Sequence, residues 1–519
     1  HHSRNKIAVM APNYDGSEIL LPLSKACGLP IDQVNFIVIE IVALFFGVVF
    51  RKALGPELVS SRTRHAVSLI LGVAFGLFCF GKKLFHIVAQ TAVCYTCLKL
   101  LPASVTHIVV FLLAMGYLVI IHIDRTFFCE PGYIIDISGP LMITTQKVTS
   151  LAFSINDGCH RNSEKLTDLQ KKTAVKNCPS LLEMNSYIFY FQGLLVGPAV
   201  FFSDYKAFIE GTDLVKQVPP TAMTKGKPEP FYVHKPSPLD PVMKKLATVI
   251  VWFMIHLFIL PHYPAYLNAD PGFIANHSFM YRLWYMWLSM TLCKARYYVA
   301  WSLGDAVHNA SGFGWSGVDR FGRHKWDLVT NIKIINIETG LSLKDFTDNW
   351  NMQTSLWLRH ICYERIPLQK VLATFTLSAL WHGIYPGYYF TFVCSGIFLS
   401  AGRQVRRKVR PYFLNSTWLK SAYDVFTWLT THLVISYVGV AFNLLYWQPI
   451  LIFYGSVYFF LHVLGIVILA IMPFVPTQEV KMSAQEISSR SSLESSNNNE
   501  MVNGKQTEDN HSFILKKHA

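Results

Sequence analysis

Long unbroken runs of apolar residues constrain this 519-residue chain more than any other feature. Residues 34–50 form the first run, closed by Arg51 and Lys52; 65–80 stops just short of Lys82 and Lys83; 84–101 and 105–123 follow, the last ended by Asp124 and Arg125. Runs of about 20 residues match the roughly 30 Å hydrocarbon core of a bilayer when helical. A backbone in lipid must satisfy its own hydrogen bonds, so only helices and closed barrels cross, and continuous apolar runs are the helical pattern. Residues 187–202 (interrupted by Gly193, Gly197 and Pro198), 246–260, 279–303, 371–400, 423–446 and 450–472 continue the series. The total predicted is about ten or eleven crossings. Residues 134–155 are weaker, with Gln146 and Lys147 in their middle, and read as a tilted or interfacial helix. The expectation is an all-α polytopic membrane protein in which re-entrant or interfacial helices surround a central tunnel.

Composition agrees. Hydrophobic residues make up 52% and charged residues 15%, against roughly 25% charge in soluble domains. Disordered, collagenous and disulfide-scaffold classes are excluded. The net charge of +14, from 46 Lys and Arg against 32 Asp and Glu, reads as basic loops facing anionic lipid and an anionic co-substrate rather than nucleic acid. Cys94 and Cys97 form a C-x-x-C within an apolar helix pattern that lacks a second ligand pair, so no metal is expected.

The chain divides into 1–9, a tag or linker remnant ahead of Met10; 10–33, an N-terminal segment; 34–475, the membrane domain; and 476–519, a Ser-, Asn- and Glu-rich tail expected to be disordered and cytosolic. Lys516 and Lys517 stand fourth and third from the end. That is the dilysine address read by coat-type retrieval machinery, which predicts the endoplasmic reticulum membrane. The block Arg403, Arg406, Arg407, Lys408 and Arg410 is assigned to the cytosolic side by the positive-inside rule, and two later spans return the C-terminus there. Contact with coenzyme A is the alternative use of this block.

Ionisable residues at membrane depth are costly and are functional candidates by default. Here they include Glu40, His86, His107, His122, His256, Arg296, Asp305, His382, His432 and His462. Most of the histidines are expected to be bonded to a neighbouring helix. His382 differs because it precedes Gly383, Pro386 and Gly387, where a long apolar helix must break, and broken backbone at depth is tolerated where it lines a cavity. Between two spans lies a second anomaly, 304–370, rich in Gly, Asn and Trp. It holds the cluster Asn349, Trp350, Asn351, Met352, Gln353 and Thr354, then Trp357, Arg359 and His360. These residues point to a polar chamber around His382, in a membrane enzyme or a transporter.

Trp381-His382-Gly383, with Asn351 placed 31 residues upstream, resembles the membrane-bound O-acyltransferase family. Pro30-Ile31-Asp32-Gln33-Val34-Asn35-Phe36, Phe78-Cys79-Phe80-Gly81, Pro179-Ser180-Leu181-Leu182-Glu183 and Lys325-Trp326-Asp327-Leu328 are similar to its lysophospholipid acyltransferase branch. Within that branch the chain most resembles enzymes that acylate lysophosphatidyl-ethanolamine, -serine or -choline. The resemblance implies that His382 and Asn351 are the catalytic pair. It also implies transfer of a fatty acyl group from acyl-CoA to the free hydroxyl of a lysophospholipid, with acyl-CoA as co-substrate and no further cofactor.

The residue chemistry suits that reaction. An alcohol attacks poorly until a base removes its proton, and histidine is the usual base near pH 7. The Asn351 amide would stabilise the developing oxyanion, hold the hydroxyl or orient His382. The thioester is already activated, so no cysteine nucleophile is assigned. Trp381, Trp350, Trp357 and Trp326 are candidates to line an acyl or adenine slot. Lys325 and Arg359, with Arg365 and Lys370, are candidates for a basic coenzyme entrance. None of the 19 histidines has an Asp five positions on, the arrangement of the soluble-type glycerolipid acyltransferases. Two alternatives stay open: a peptide O-acyltransferase of the same superfamily, and a secondary transporter built on breaks near 193–198 and 383–387.

Overall fold

A computed structural model describes residues 14–128, 135–213, 236–319 and 321–476. Residues 1–13, which include the segment expected to be a tag or linker remnant, the polar loop from 214 to 235, and residues 477–519 with the expected dilysine signal lie outside the described residues. Among the described residues the protein is all-α apart from one hairpin of two-residue strands, Gly317–Val318 paired with His324–Lys325.

The first four apolar runs are helices: α1 (Ile31–Ala53), α2 (Ser61–Phe80), α3 (Phe85–Leu100) and α4 (Ala103–Phe127). A 3-10 turn, Gly81–Leu84, joins α2 to α3. Next comes α5 (Ser138–Cys159), and further on α6 (Leu239–Phe258). Among the described residues five helical segments are long and apolar enough to cross a membrane, or six if the bent pair near the C-terminus is one span. The protein is therefore a multi-pass membrane protein. The outer helices show large apolar side chains to the surroundings, among them Ile250, Val251 and Phe258 of α6, as a lipid-facing helix should.

The difference from the larger number of apolar runs has local causes. Residues 279–303 form two helices, α7 (Phe279–Cys293) and α8 (Ala295–Ser311), broken at Lys294, whose ammonium pairs with Glu338 at 2.6 Å. Residues 371–400 are likewise two helices, α10 (Lys370–His382) and α11 (Pro386–Lys408). The last run is bent by 75° between α13 (Trp447–Ser456) and α14 (Phe460–Ile471), where Tyr458 and Phe459 both have positive φ. Residues 190–201 are not helical, yet most are buried. There the Tyr187 hydroxyl donates to the Val200 carbonyl (2.6 Å) and the Tyr190 hydroxyl to the Pro198 carbonyl (3.1 Å). Buried irregular backbone is kept because side chains supply the missing donors.

Helix α5 corrects the interfacial reading of 134–155: it is buried along nearly its whole length. Its polar residues mostly bond back to their own helix. Thr144, Thr145, Thr149 and Ser150 donate to the carbonyls of Pro140, Leu141, Thr145 and Gln146 at 2.6–2.9 Å, and Lys147 donates to Ile188 O at 2.9 Å. Hydroxyls satisfied in this way no longer require water, so the helix serves as the central post of the fold.

Candidate active site

Three elements bring the site together on α5. Helix α9 (Met352–Leu358) carries Asn351 at its N-terminus, and α10 (Lys370–His382) carries the histidine at its C-terminus. Met142, Gln146 and Thr149 lie at i, i+4 and i+7 on one face of α5. The Trp381 indole donates to Met142 O (3.0 Å), Gln146 donates to the Thr354 hydroxyl (2.9 Å), and the Trp357 indole donates to Thr149 Oγ1 (2.9 Å). One helix face thus fixes both arms of the site.

Beyond His382 the chain turns at Gly383, whose φ of 139° suits glycine alone. It re-enters as α11 (Pro386–Lys408), packed on α12 (Thr417–Leu444). A Cβ at Gly387 would overlap the Ala441 carbonyl oxygen, so these two backbones meet directly beside the histidine.

The His382 ring is half-buried and held among Trp381 and Phe392 (centroids at 4.7 Å), Phe442 (5.5 Å) and Tyr388 (5.8 Å). Its Nδ1 lies 2.7 Å from Ser378 O. A carbonyl can only accept, so Nδ1 carries the proton and Nε2 is the basic nitrogen. Next to it, His122 Nε2 bonds the Trp381 carbonyl at 3.1 Å, which ties α4 to the same turn.

Asn351 has φ 48° and ψ 51°, a left-handed conformation that asparagine tolerates better than most residues. Asn331 fastens this turn: its Nδ2 donates to Asn351 Oδ1 (3.1 Å), its Oδ1 accepts from Gln353 N (3.0 Å), and its carbonyl accepts from Met352 N (2.9 Å). With Oδ1 occupied as an acceptor, the Asn351 amide nitrogen is the group left to donate.

His382 and Asn351 line one cavity of about 740 Å³. Among the described residues no hydrogen bond joins them. The cavity follows α10 through Thr374, Phe375, Ser378, Trp381 and His382, and α11 through Tyr388, Phe392, Ser395 and Leu399. Arg125 and Asp136, paired at 3.1 Å, lie on its wall with His122, and Arg359 lines it as well.

The cavity wall includes Trp381, Trp350 and Arg359. Trp350 stacks among Tyr297, Trp301 and Phe346, and Arg359 bonds Glu364 at 2.6 Å. Trp357 is buried behind the wall on Thr149. Lys325 and Trp326 are outside the wall; Lys325 is on the hairpin near Asp327 and the Trp326 carbonyl accepts from Lys245. Arg365 makes two bonds to Asp157 (3.0 and 2.6 Å), a structural clamp. Sequence reasoning did not assign the α5 face or Asn331. Gln146 and Thr149, three positions apart in a run of mixed hydropathy, were the available signal for the first.

The sequence matches the membrane-bound O-acyltransferase family, MBOAT, over residues 75–445. The chain belongs to this family. It is 42% identical to membrane-bound glycerophospholipid O-acyltransferase 1 of Homo sapiens over 477 residues, covering 91% of this chain and 96% of that protein. It is also 42% identical to membrane-bound glycerophospholipid O-acyltransferase 2 of Homo sapiens, covering 91% of each. Lysophospholipid acyltransferase 6 of Drosophila melanogaster is 40% identical over 89% of this chain and 64% of its own length. The Trp-His-Gly turn and the Asn351 turn both fall within the matched span.

Proposed function

We propose that this protein is an acyl-CoA:lysophospholipid O-acyltransferase, acting on lysophosphatidyl-ethanolamine, -serine or -choline in phospholipid remodelling. The observation that carries the proposal is one cavity lined by both a histidine whose basic Nε2 and an asparagine whose amide nitrogen have no hydrogen-bond partner among the described residues. The names of the relatives support the same class of substrate.

In this reading His382 Nε2 takes the proton of the lysophospholipid hydroxyl as its oxygen attacks the thioester carbonyl carbon. The Asn351 amide donates to the carbonyl oxygen as negative charge gathers there. The new C–O bond forms and the C–S bond breaks. The departing thiolate takes the proton back from the imidazolium, leaving free coenzyme A and diacyl lipid. The lysophospholipid enters sideways from the bilayer and acyl-CoA from the cytosol. By the positive-inside rule the block of Arg403, Arg406, Arg407 and Arg410 faces the cytosol, and residence in the endoplasmic reticulum membrane is part of the same reading.

Purified protein in liposomes is expected to convert labelled oleoyl-CoA and a lysophospholipid to diacyl product. A panel of headgroups then ranks the acceptors by kcat/KM. Transfer to a peptide hydroxyl instead, or binding of lysolipid without turnover, would overturn the assignment.

Asn331 is a positioning residue on this account. Asn331→Ala removes the donor that fixes Asn351 and is expected to lower kcat by about 10- to 100-fold, since small misplacements of catalytic groups cost on that scale. The KM for either substrate should change little. Asn331→Asp keeps the acceptor for Gln353 N but loses the donor to Asn351, so it should resemble the alanine variant in kcat and the parent in thermal stability. A KM effect without a kcat effect would remove Asn331 from this role.

A further inference from the structure

Among the described residues two histidines line the catalytic cavity, His382 and His122. Other histidines in apolar helices bond away from it: His86 to the Tyr117 hydroxyl (2.8 Å), and His462 to Tyr437 (2.8 Å) and Cys394 (3.2 Å). His122 is buried on α4, and its partner is the carbonyl of Trp381, the peptide group that carries His382. A carbonyl can only accept, so His122 Nε2 holds the proton and Nδ1 does not. This is the reverse of the tautomer at His382.

The end of α10 shows why this bond matters. The last four carbonyls of a helix have no partner within it. The Ala379 carbonyl accepts from Gly383 N at 3.2 Å, but the chain then turns away at Gly383 and offers Trp381 O no donor of its own. His122 supplies that donor, and its ring also packs on the turn, since a Cβ at Gly383 would stand 3.6 Å from His122 Cγ. Three neighbouring segments thus hold the turn. Helix α5 takes the Trp381 indole, Leu445 O at the end of α12 takes Gly387 N at 2.9 Å, and α4 takes the Trp381 carbonyl. Only the last acts on the peptide bond between Trp381 and His382. That bond is planar and stiff, so fixing its carbonyl fixes the direction in which the His382 Cα presents its ring. The bond from His382 Nδ1 to Ser378 O is internal to α10. It sets the ring within its own helix, whereas the tethers to other segments set that helix end within the cavity.

We propose that His122 is a positioning residue for acyl transfer: by donating from Nε2 to the Trp381 carbonyl it holds the peptide that carries His382 and so aims the basic Nε2 of that residue. This rests on the reading of His382 as the general base. The test uses full-length protein in liposomes with oleoyl-CoA and whichever of lysophosphatidylcholine, -ethanolamine or -serine the parent turns over fastest. Folding is checked by gel filtration and melting temperature. His122→Phe keeps the bulk of the ring and loses the donor. Its kcat should fall about 10- to 100-fold, with KM for both substrates near the parental values. His122→Gln restores an N–H of similar reach, and most of the lost kcat should return.

The decisive arm repeats both changes in the His382→Ala background. If His122 acts through His382, His122→Phe has no further effect on the residual rate there. A residue that only stabilises the fold, or that takes the proton itself, lowers that rate again. NMR of nitrogen-labelled histidine reads the same geometry without turnover, so failure of the acyltransferase reading and failure of this one are distinguishable. The His382 signals, identified by their loss in His382→Ala, should move in His122→Phe and return in His122→Gln. Parental kcat in His122→Phe, an effect on KM alone, no recovery with glutamine, an additive loss in the double variant, or unmoved His382 signals overturns the proposal.

Discussion

His382→Ala is expected to lower the rate of acyl transfer by about 10²–10⁴-fold, the usual contribution of a positioned general base, or about 3–5 kcal/mol of barrier. The ring's Nδ1 is committed to Ser378 O, so Nε2 is the nitrogen that acts as the base. The fold should survive the change, because His382 lines an existing cavity and its removal only enlarges that space. His382→Gln separates the two contributions, since it restores volume and a polar end but not basicity. Both variants should elute and melt like the parent while their single-turnover rates with labelled oleoyl-CoA collapse. Recovery of activity in the glutamine variant would make His382 a packing residue of the helix break, and the site would lose its base.

Hydropathy located the outer helices well and the inner ones poorly, for one physical reason. Helices α1, α4 and α12 keep an apolar face toward lipid, so their sequences announce a membrane environment. Helix α5 is surrounded by protein, and its environment rewards small and hydroxyl-bearing residues that permit close packing and bond to their own carbonyls. Such a helix reads as polar although it is among the most buried parts of the molecule. The break at Lys294 was illegible in a different way, because the residue that pays for it, Glu338, lies 44 positions away.

The site was legible where the backbone had to do something unusual. Gly383, Pro386 and Gly387 mark a break that places His382 at a helix end facing a cavity. Asn351 lines the same cavity. The aromatic residues were harder, since a tryptophan reads alike in sequence whether it lines a wall or stands behind it. Trp350 and Trp381 are at the wall and Trp357 is not, a division set by where α9 meets Thr149. Lys325 and Trp326 shared a motif with the family but fall on the hairpin side, where Asp327 and Lys245 engage them.

Asn351 carries two separable properties, its left-handed backbone and its amide, and three substitutions should pull them apart. Asn351→Ala loses the amide and with it the short polar side chain that lets asparagine tolerate φ 48°, where a left-handed residue otherwise costs up to about 1–2 kcal/mol. It should therefore be both less active and less stable. Asn351→Gly keeps the turn without strain and loses only the side chain. If the amide stabilises the oxyanion, kcat for the glycine variant falls by about 10²–10³-fold while its melting temperature stays near that of the parent. Asn351→Asp retains the shape and tolerates the turn, but it sets a carboxylate where negative charge must develop, so its loss should be at least as large. A glycine variant with parental kcat would show that Asn351 is present for its backbone alone, and the oxyanion donor would have to be sought elsewhere on the cavity wall.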